Sequence, residues 1–136
     1  MLEGGCLCGA VRYAVSGELR PIIACHCAQC RKTSGYHVAA TSCAREHLEV
    51  DGEVSWYRSS ETAQRGFCGI CGSNLFWTGP GTHTSIFAGT LDETGDLKIA
   101  GHIFCADKGD YYEIPDGVPK AEQDDPALTT QVQGES

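Results

Sequence analysis

The sequence predicts a mainly β domain with little helix. Three observations carry that prediction. Short apolar runs recur with strand-like alternation, seventeen glycines punctuate them, and a helical pattern is confined to a few residues. Val11, Tyr13 and Val15 alternate with Arg12 and Ala14, as a half-buried strand does, and Gly17 breaks the run. Ile22-Ile23-Ala24 is a short apolar strand, and Val38-Ala39-Ala40-Thr41 is another. Leu48-Glu49-Val50 and Val54-Ser55-Trp56-Tyr57 flank Asp51-Gly52, which reads as a hairpin. Asn74 to Trp77 forms a strand that must end at the turn Gly79-Pro80-Gly81. Thr84 to Ala88 and Ile99 to Phe104 complete the strands. Cys27 to Lys32 reads as a short helix, with a second short turn at Leu91 to Thr94. From Pro119 the apolar pattern stops. Residues 1–118 are therefore expected to form a single β domain, and residues 119–136 an acidic, mobile tail.

The chain has 136 residues, enough for one real core, with 41% hydrophobic residues. No apolar run approaches the roughly 20 residues that span a bilayer. Met1-Leu2-Glu3-Gly4-Gly5 lacks the basic-then-apolar pattern of a signal peptide, so a cytoplasmic location is expected. In that compartment, close cysteines read as metal ligands or redox centres rather than a disulfide framework. The net charge is −8, all of it from residues 80–136, whereas residues 1–79 balance acids and bases. Such a chain is expected to repel nucleic acid, which needs clustered Lys and Arg. The neutral half holds Arg12, Arg31, Lys32, Arg45, Arg58 and Arg65, so a small anionic ligand is tolerable there.

Seven of the nine cysteines fall into three clusters: Cys6 and Cys8; Cys25, Cys27 and Cys30; Cys68 and Cys71. Cys6-x-Cys8 has the spacing of two side chains on one face of a strand. Cys68-x-x-Cys71-Gly72 reads as a zinc knuckle. Together the two pairs make a four-cysteine structural zinc site, the alternative being two pairs of free buried cysteines. The triplet Cys25, Cys27 and Cys30 converges three sulfurs on one ion, because Cys30 lies one helical turn beyond Cys27. Three thiolates leave a coordination position open, as a catalytic zinc requires. His26, His37, Cys43, His102 and Cys105 are candidate fourth ligands, with His26 expected to point away. A closed second structural zinc and a redox dithiol of Cys27 and Cys30 are the alternatives. Cys43 and Cys105 read as small buried hydrophobes, and His37, His83 and His102 as satisfied histidines. Trp56, Trp77, Phe76, Phe87 and Phe104 read as core, one of them a possible pocket wall. Arg31 and Lys32 follow the triplet and are either holders of a ligand carboxylate or a solvated helix face.

The order Gly5-Cys6-Leu7-Cys8-Gly9, Cys25 to Cys30, then Arg65-Gly66-Phe67-Cys68-Gly69-Ile70-Cys71-Gly72 resembles the glutathione-dependent formaldehyde-activating enzyme family, which shares its domain with centromere protein V. His102 to Lys108 and Tyr111 to Pro119 look like the family's closing region, so the resemblance spans about residues 3–119. It implies several coiled antiparallel β-sheets, similar to B-type methionine sulfoxide reductases. It also implies two zinc ions, one structural on Cys6, Cys8, Cys68 and Cys71, the other open and catalytic on Cys25, Cys27 and Cys30. The implied activity is that of a carbon–sulfur lyase, joining formaldehyde to glutathione as S-(hydroxymethyl)glutathione synthase does. An open zinc position would bind a small thiol as thiolate, favoured here, or polarise an aldehyde oxygen. A zinc-stapled interaction module without catalysis and a Cys27/Cys30 thiol reductase stand as alternative functions.

Overall fold

The computed structural model describes residues 1–130. Ten strands and two short helices run in the order β1 (Leu2–Gly5), β2 (Arg12–Val15), β3 (Ile22–Cys25), α1 (Ala28–Ser34), β4 (Val38–Ala44), β5 (Leu48–Asp51), β6 (Val54–Arg58), β7 (Gln64–Cys68), β8 (Asn74–Thr78), β9 (His83–Phe87), β10 (Ile99–Ile103) and α2 (Pro126–Thr129). They form a three-stranded sheet, β1-β2-β5, and a seven-stranded sheet, β10-β3-β4-β9-β8-β7-β6. The mainly β expectation holds. Pairing is antiparallel throughout both sheets except between β10 and β3, which run parallel.

Period-two alternation divides the large sheet into two working faces. On β4, Cys43 is fully buried on the core side, while Val38, Ala40 and Ser42 look into a cavity. On β9, Thr84 and Ile86 are buried, while His83, Ser85 and Phe87 line the same cavity. The core lies between the sheets. Val11, Tyr13 and Val15 meet Cys43, Leu75, Phe76 and Ile86 there, with the Tyr13 ring edge-on to Phe76 at 5.3 Å. Each large apolar side chain fully buried here contributes roughly 1.5–3 kcal/mol.

Several sequence expectations change. Asp51-Gly52 does not close a hairpin. β5 pairs with β2 in the small sheet and β6 with β7 in the large one. Gly52 (φ 102°) turns the chain from one sheet to the other, and a Cβ there would lie 2.1 Å from the Ala10 carbonyl oxygen. The short turn expected at Leu91 to Thr94 is a 3₁₀ turn at Ala88–Thr90 instead. β7 was not foreseen, its Gln-Arg-Gly start masking the strand pattern. Trp56 is 45% exposed, not core.

The segment expected as a mobile tail from residue 119 is held to the sheet as far as residue 130. His102 bridges in parallel to Lys120, and Leu128 is buried against Ile23 and Ile103. Gly101 makes room for it, since a Cβ there would sit 2.9 Å from Leu128 Cδ1. Residues 131–136 of that expected tail lie outside the described residues.

Candidate functional site

The cysteine triplet is built at a strand-to-helix junction. Cys25 ends β3, Cys27 caps α1 and Cys30 lies in its first turn. The Cys27 sulfur accepts the Cys30 amide at 3.3 Å, so a cysteine of the triplet does the work of an N-cap serine. Gly35, at φ 88°, closes the helix with its amide on the Arg31 carbonyl. The three sulfurs lie within 4.8 Å of one another. Hydrogen bonds from Cys25 and then Cys30 draw the Cys27 thiol well below its usual range, while the contacts with Cys27 and Cys30, reinforced by burial, push Cys25 up. A bound cation would take the place of the thiol protons in this cluster.

His26, between Cys25 and Cys27, points away from their sulfurs as expected. Its Nδ1 meets the Tyr112 hydroxyl at 2.8 Å and its Nε2 meets His102 Nδ1 at 3.0 Å. Burial, then the neighbouring His37, His102 and Lys108, push the His26 imidazole down to about 4, so it is neutral at ordinary pH. This buried chain fixes the backbone between Cys25 and Cys27, which keeps both sulfurs on the opposite side. His102 is thus a satisfied histidine, as expected. His37 and His83 are not, since His37 Nδ1 and His83 Nε2 are buried without a partner.

The triplet opens into a cavity of about 620 Å³, within the range of small-molecule sites. Trp77 and Phe87 wall it beside Cys30, and Phe104 lines another side. Phe104 adopts φ 54°, a left-handed conformation that a bulky residue rarely takes, and its amide is held by the Gln123 carbonyl at 3.1 Å. Asp124, Thr129 and Thr130 complete the wall from the C-terminal segment, which Arg20 clamps through the Thr129 carbonyl at 3.2 Å. Arg31 and Lys32 do not line the cavity. Two arginines line it instead. Arg20 is engaged with the Pro21, Ala40 and Thr129 carbonyls, whereas Arg65 of β7, one of the bases of the charge-balanced half, faces the triplet. Its Nη2 lies 3.8 Å from Cys30 Sγ and 3.3 Å from Gln29 Oε1.

The second centre is made of two turns. Cys6 and Cys8 sit in the turn after β1, not on one face of a strand as expected. Cys68 ends β7 and Cys71 follows in the turn to β8. Gly9 (φ 81°) and Gly72 (φ 82°) let each turn curl around its sulfurs. The Val11 amide points at Cys6 Sγ at 3.3 Å, and those of Ile70 and Cys71 at Cys68 Sγ at 3.4 and 3.5 Å. The Ser73 hydroxyl and amide draw the Cys71 thiol down to about 5. The four sulfurs lie within 4.8 Å of one another. Cys6–Cys8 and Cys8–Cys68 are separated by 3.7 and 3.8 Å. A tetrahedral zinc with sulfurs at about 2.3 Å demands edges of about 3.8 Å, so the donor set fits zinc. Among the described residues these are the two groups of three or more potential ligands close enough to hold a metal. None of the candidate fourth ligands joins the triplet. Cys43 is fully buried in the inter-sheet core, where burial lifts its thiol to about 11. Cys105 is half-buried in a 3₁₀ turn rather than fully buried as expected.

Residues 1–107 match the family model of the glutathione-dependent formaldehyde-activating enzyme. The chain belongs to this family. Among its relatives is a Halomonas elongata protein named "Putative glutathione-dependent formaldehyde-activating enzyme". It is 33% identical over 84% of this chain and 81% of its own length. An uncharacterized lyase of Schizosaccharomyces pombe is 36% identical over 55% of this chain, and the match spans 56% of that protein. A crystal structure of a Rhodobacter sphaeroides protein aligns with a TM-score of 0.58 at 25% identity, covering 69% of this chain and 91% of that one. The family match ends at residue 107. The cavity wall formed by Asp124, Thr129 and Thr130 lies beyond it. No helix among the described residues is long and apolar enough to cross a membrane.

Proposed function

We propose that this family member is a zinc-dependent carbon–sulfur lyase-type enzyme acting on the adduct of a small thiol and an aldehyde, as S-(hydroxymethyl)glutathione synthase does. The observation that carries the reading is the open set of Cys25, Cys27 and Cys30. Three sulfurs converge at the wall of a half-open cavity, and no fourth protein donor stands near them among the described residues. Zinc held there would supply a free coordination position for a thiolate. Cys6, Cys8, Cys68 and Cys71 would hold a second, structural zinc. His26, His102 and Tyr112 hold the Cys25–Cys27 backbone so that the sulfurs face the cavity, and Trp77, Phe87 and Phe104 give it apolar walls. In the forward direction the thiol sulfur bonds to the aldehyde carbon, the carbonyl electron pair moves to oxygen, and the proton given up by the thiol ends on that oxygen. Glutathione is the proposed thiol and formaldehyde the proposed aldehyde, in keeping with the family's name. We place the protein in the cytoplasm, without nucleic-acid or membrane partners.

Cys27→Ser is the test. The variant is expected to fold with one zinc instead of two, to lose glutathione binding by calorimetry, and to stop accelerating adduct formation followed by NMR. Unchanged binding and rate would remove the triplet from the mechanism.

A further inference from the structure

A buried arginine is ordinarily paired with a carboxylate, because an unpaired buried charge is costly. Arg65 departs from that rule. It is 6% exposed, its Nε is buried without a partner, and it makes no ion pair among the described residues. Its contacts are the Gln29 amide oxygen and Cys30 Sγ. Yet it lines the cavity, on the strand that also ends in Cys68 of the four-sulfur centre. Its cross-strand neighbour is Trp77, which packs beside Cys30. A positive charge fixed beside a sulfur cluster, without a carboxylate, waits for negative charge. Three thiolates and a dication together carry −1, which Arg65 offsets. An anionic fourth ligand would bring a further negative charge to the same place. The acids of the cavity, Asp107 and Asp124, come from the segments after β10 and make no ion pair with Arg65.

We propose that Arg65 is the anion-selecting residue of the cavity: its guanidinium holds the charged atom of a ligand bound beside Cys30 and makes the site prefer anionic ligands to neutral ones. The inference rests on the reading above that a fourth ligand enters here. It adds which residue sets that ligand's charge.

The test uses the full chain with cobalt(II) in place of zinc, titrated with thiocyanate, glutathione and neutral imidazole and read by the cobalt absorption bands. Arg65→Gln, checked for two metals per chain, is expected to weaken thiocyanate and glutathione about 10- to 100-fold, the worth of one hydrogen bond to a charged group. Imidazole affinity should be unchanged. Arg65→Lys, which keeps the charge but not the fork, should recover part of the anion affinity, and it is the variant to read if Arg65→Gln fails to fold. A wild-type protein that binds no anion overturns the proposal. So does equal weakening of all three ligands by either variant, or no weakening at all. Thiocyanate held through Arg65 with glutathione unbound would keep the anion site and sink the thiol reading instead.

Discussion

The two sulfur centres use the same element for opposite ends. Around Cys6, Cys8, Cys68 and Cys71, two glycine-bearing turns wrap four sulfurs and aim backbone amides at two of them. The set is complete, and it ties the start of the chain to the end of β7. Around Cys25, Cys27 and Cys30, a strand end and a helix start present three sulfurs to a cavity, with a buried cation beside them. The contrast lies in what surrounds each set. Four sulfurs would fill a tetrahedral shell even at the surface, whereas a strand-to-helix junction supplies three and leaves their fourth side facing the cavity.

If that contrast is right, losing one cysteine costs stability at the first centre and function at the second. Cys68→Ser should abolish folding, since a structural zinc contributes on the order of 10 kcal/mol. Circular dichroism should show an unfolded chain, with metal lost from both centres. A folded Cys68→Ser protein that still binds thiols would erase the distinction.

The next effect concerns the wall beside the triplet. Leu128→Ala removes a buried side chain that seats the C-terminal segment on Ile23 and Ile103. It should cost about 2–3 kcal/mol in urea unfolding. It should also weaken ligand binding in the cavity while leaving two zincs per chain. Loss of binding with unchanged stability would mean that the segment touches the ligand directly.

A smaller effect is set by pH. Burial, then His37 and Lys120, hold the His102 imidazole below its ordinary value, and His26 is pushed down to about 4. The folded protein keeps both neutral, whereas the unfolded chain takes up protons near about pH 6.5. Below that pH the unfolded state binds more protons. The stability these residues give is thus complete above about 6.5 and declines as pH falls toward about 4. His102→Gln should flatten the decline between pH 6.5 and 5 in urea melts. A slope equal to wild type would show that the histidines behind the triplet do not titrate with unfolding.

The smallest effect belongs to the surface near the four-sulfur centre. Arg12 and Asp92 make a two-pronged ion pair, but both are about half exposed. Exposed pairs contribute little. Asp92→Asn should leave the melting temperature and metal content unchanged, and a clear drop would mean that this pair supports the turn-built centre.

The cysteine spacing made both sulfur clusters legible in the sequence, because ligand chemistry constrains spacing more tightly than packing does. The orientation of His26 was legible too, since neighbours on an extended segment point to opposite sides. The Asp51-Gly52 hairpin was misread because a turn signal states that the chain reverses, not which strand it next meets. Cys6-x-Cys8 was misread because spacing alone does not separate a strand face from a curled turn. Gly9, at φ 81°, was the signal that could have decided it. The holding of residues 119–130 was illegible because it rests on backbone hydrogen bonds to β10 and the turn after it, with one leucine as the only large apolar anchor in a polar stretch. Arg65 was visible as a residue, but its burial beside Cys30 comes from the pairing of β7 with β8, which no local pattern encodes.

The most direct measurement is X-ray absorption at the zinc edge, on protein purified without chelator, with and without glutathione. The account predicts two zincs per chain, one with four protein sulfurs in both samples and one that gains a sulfur when glutathione is added. Two zincs whose shells are full and unchanged by glutathione would contradict it, and would make both centres structural.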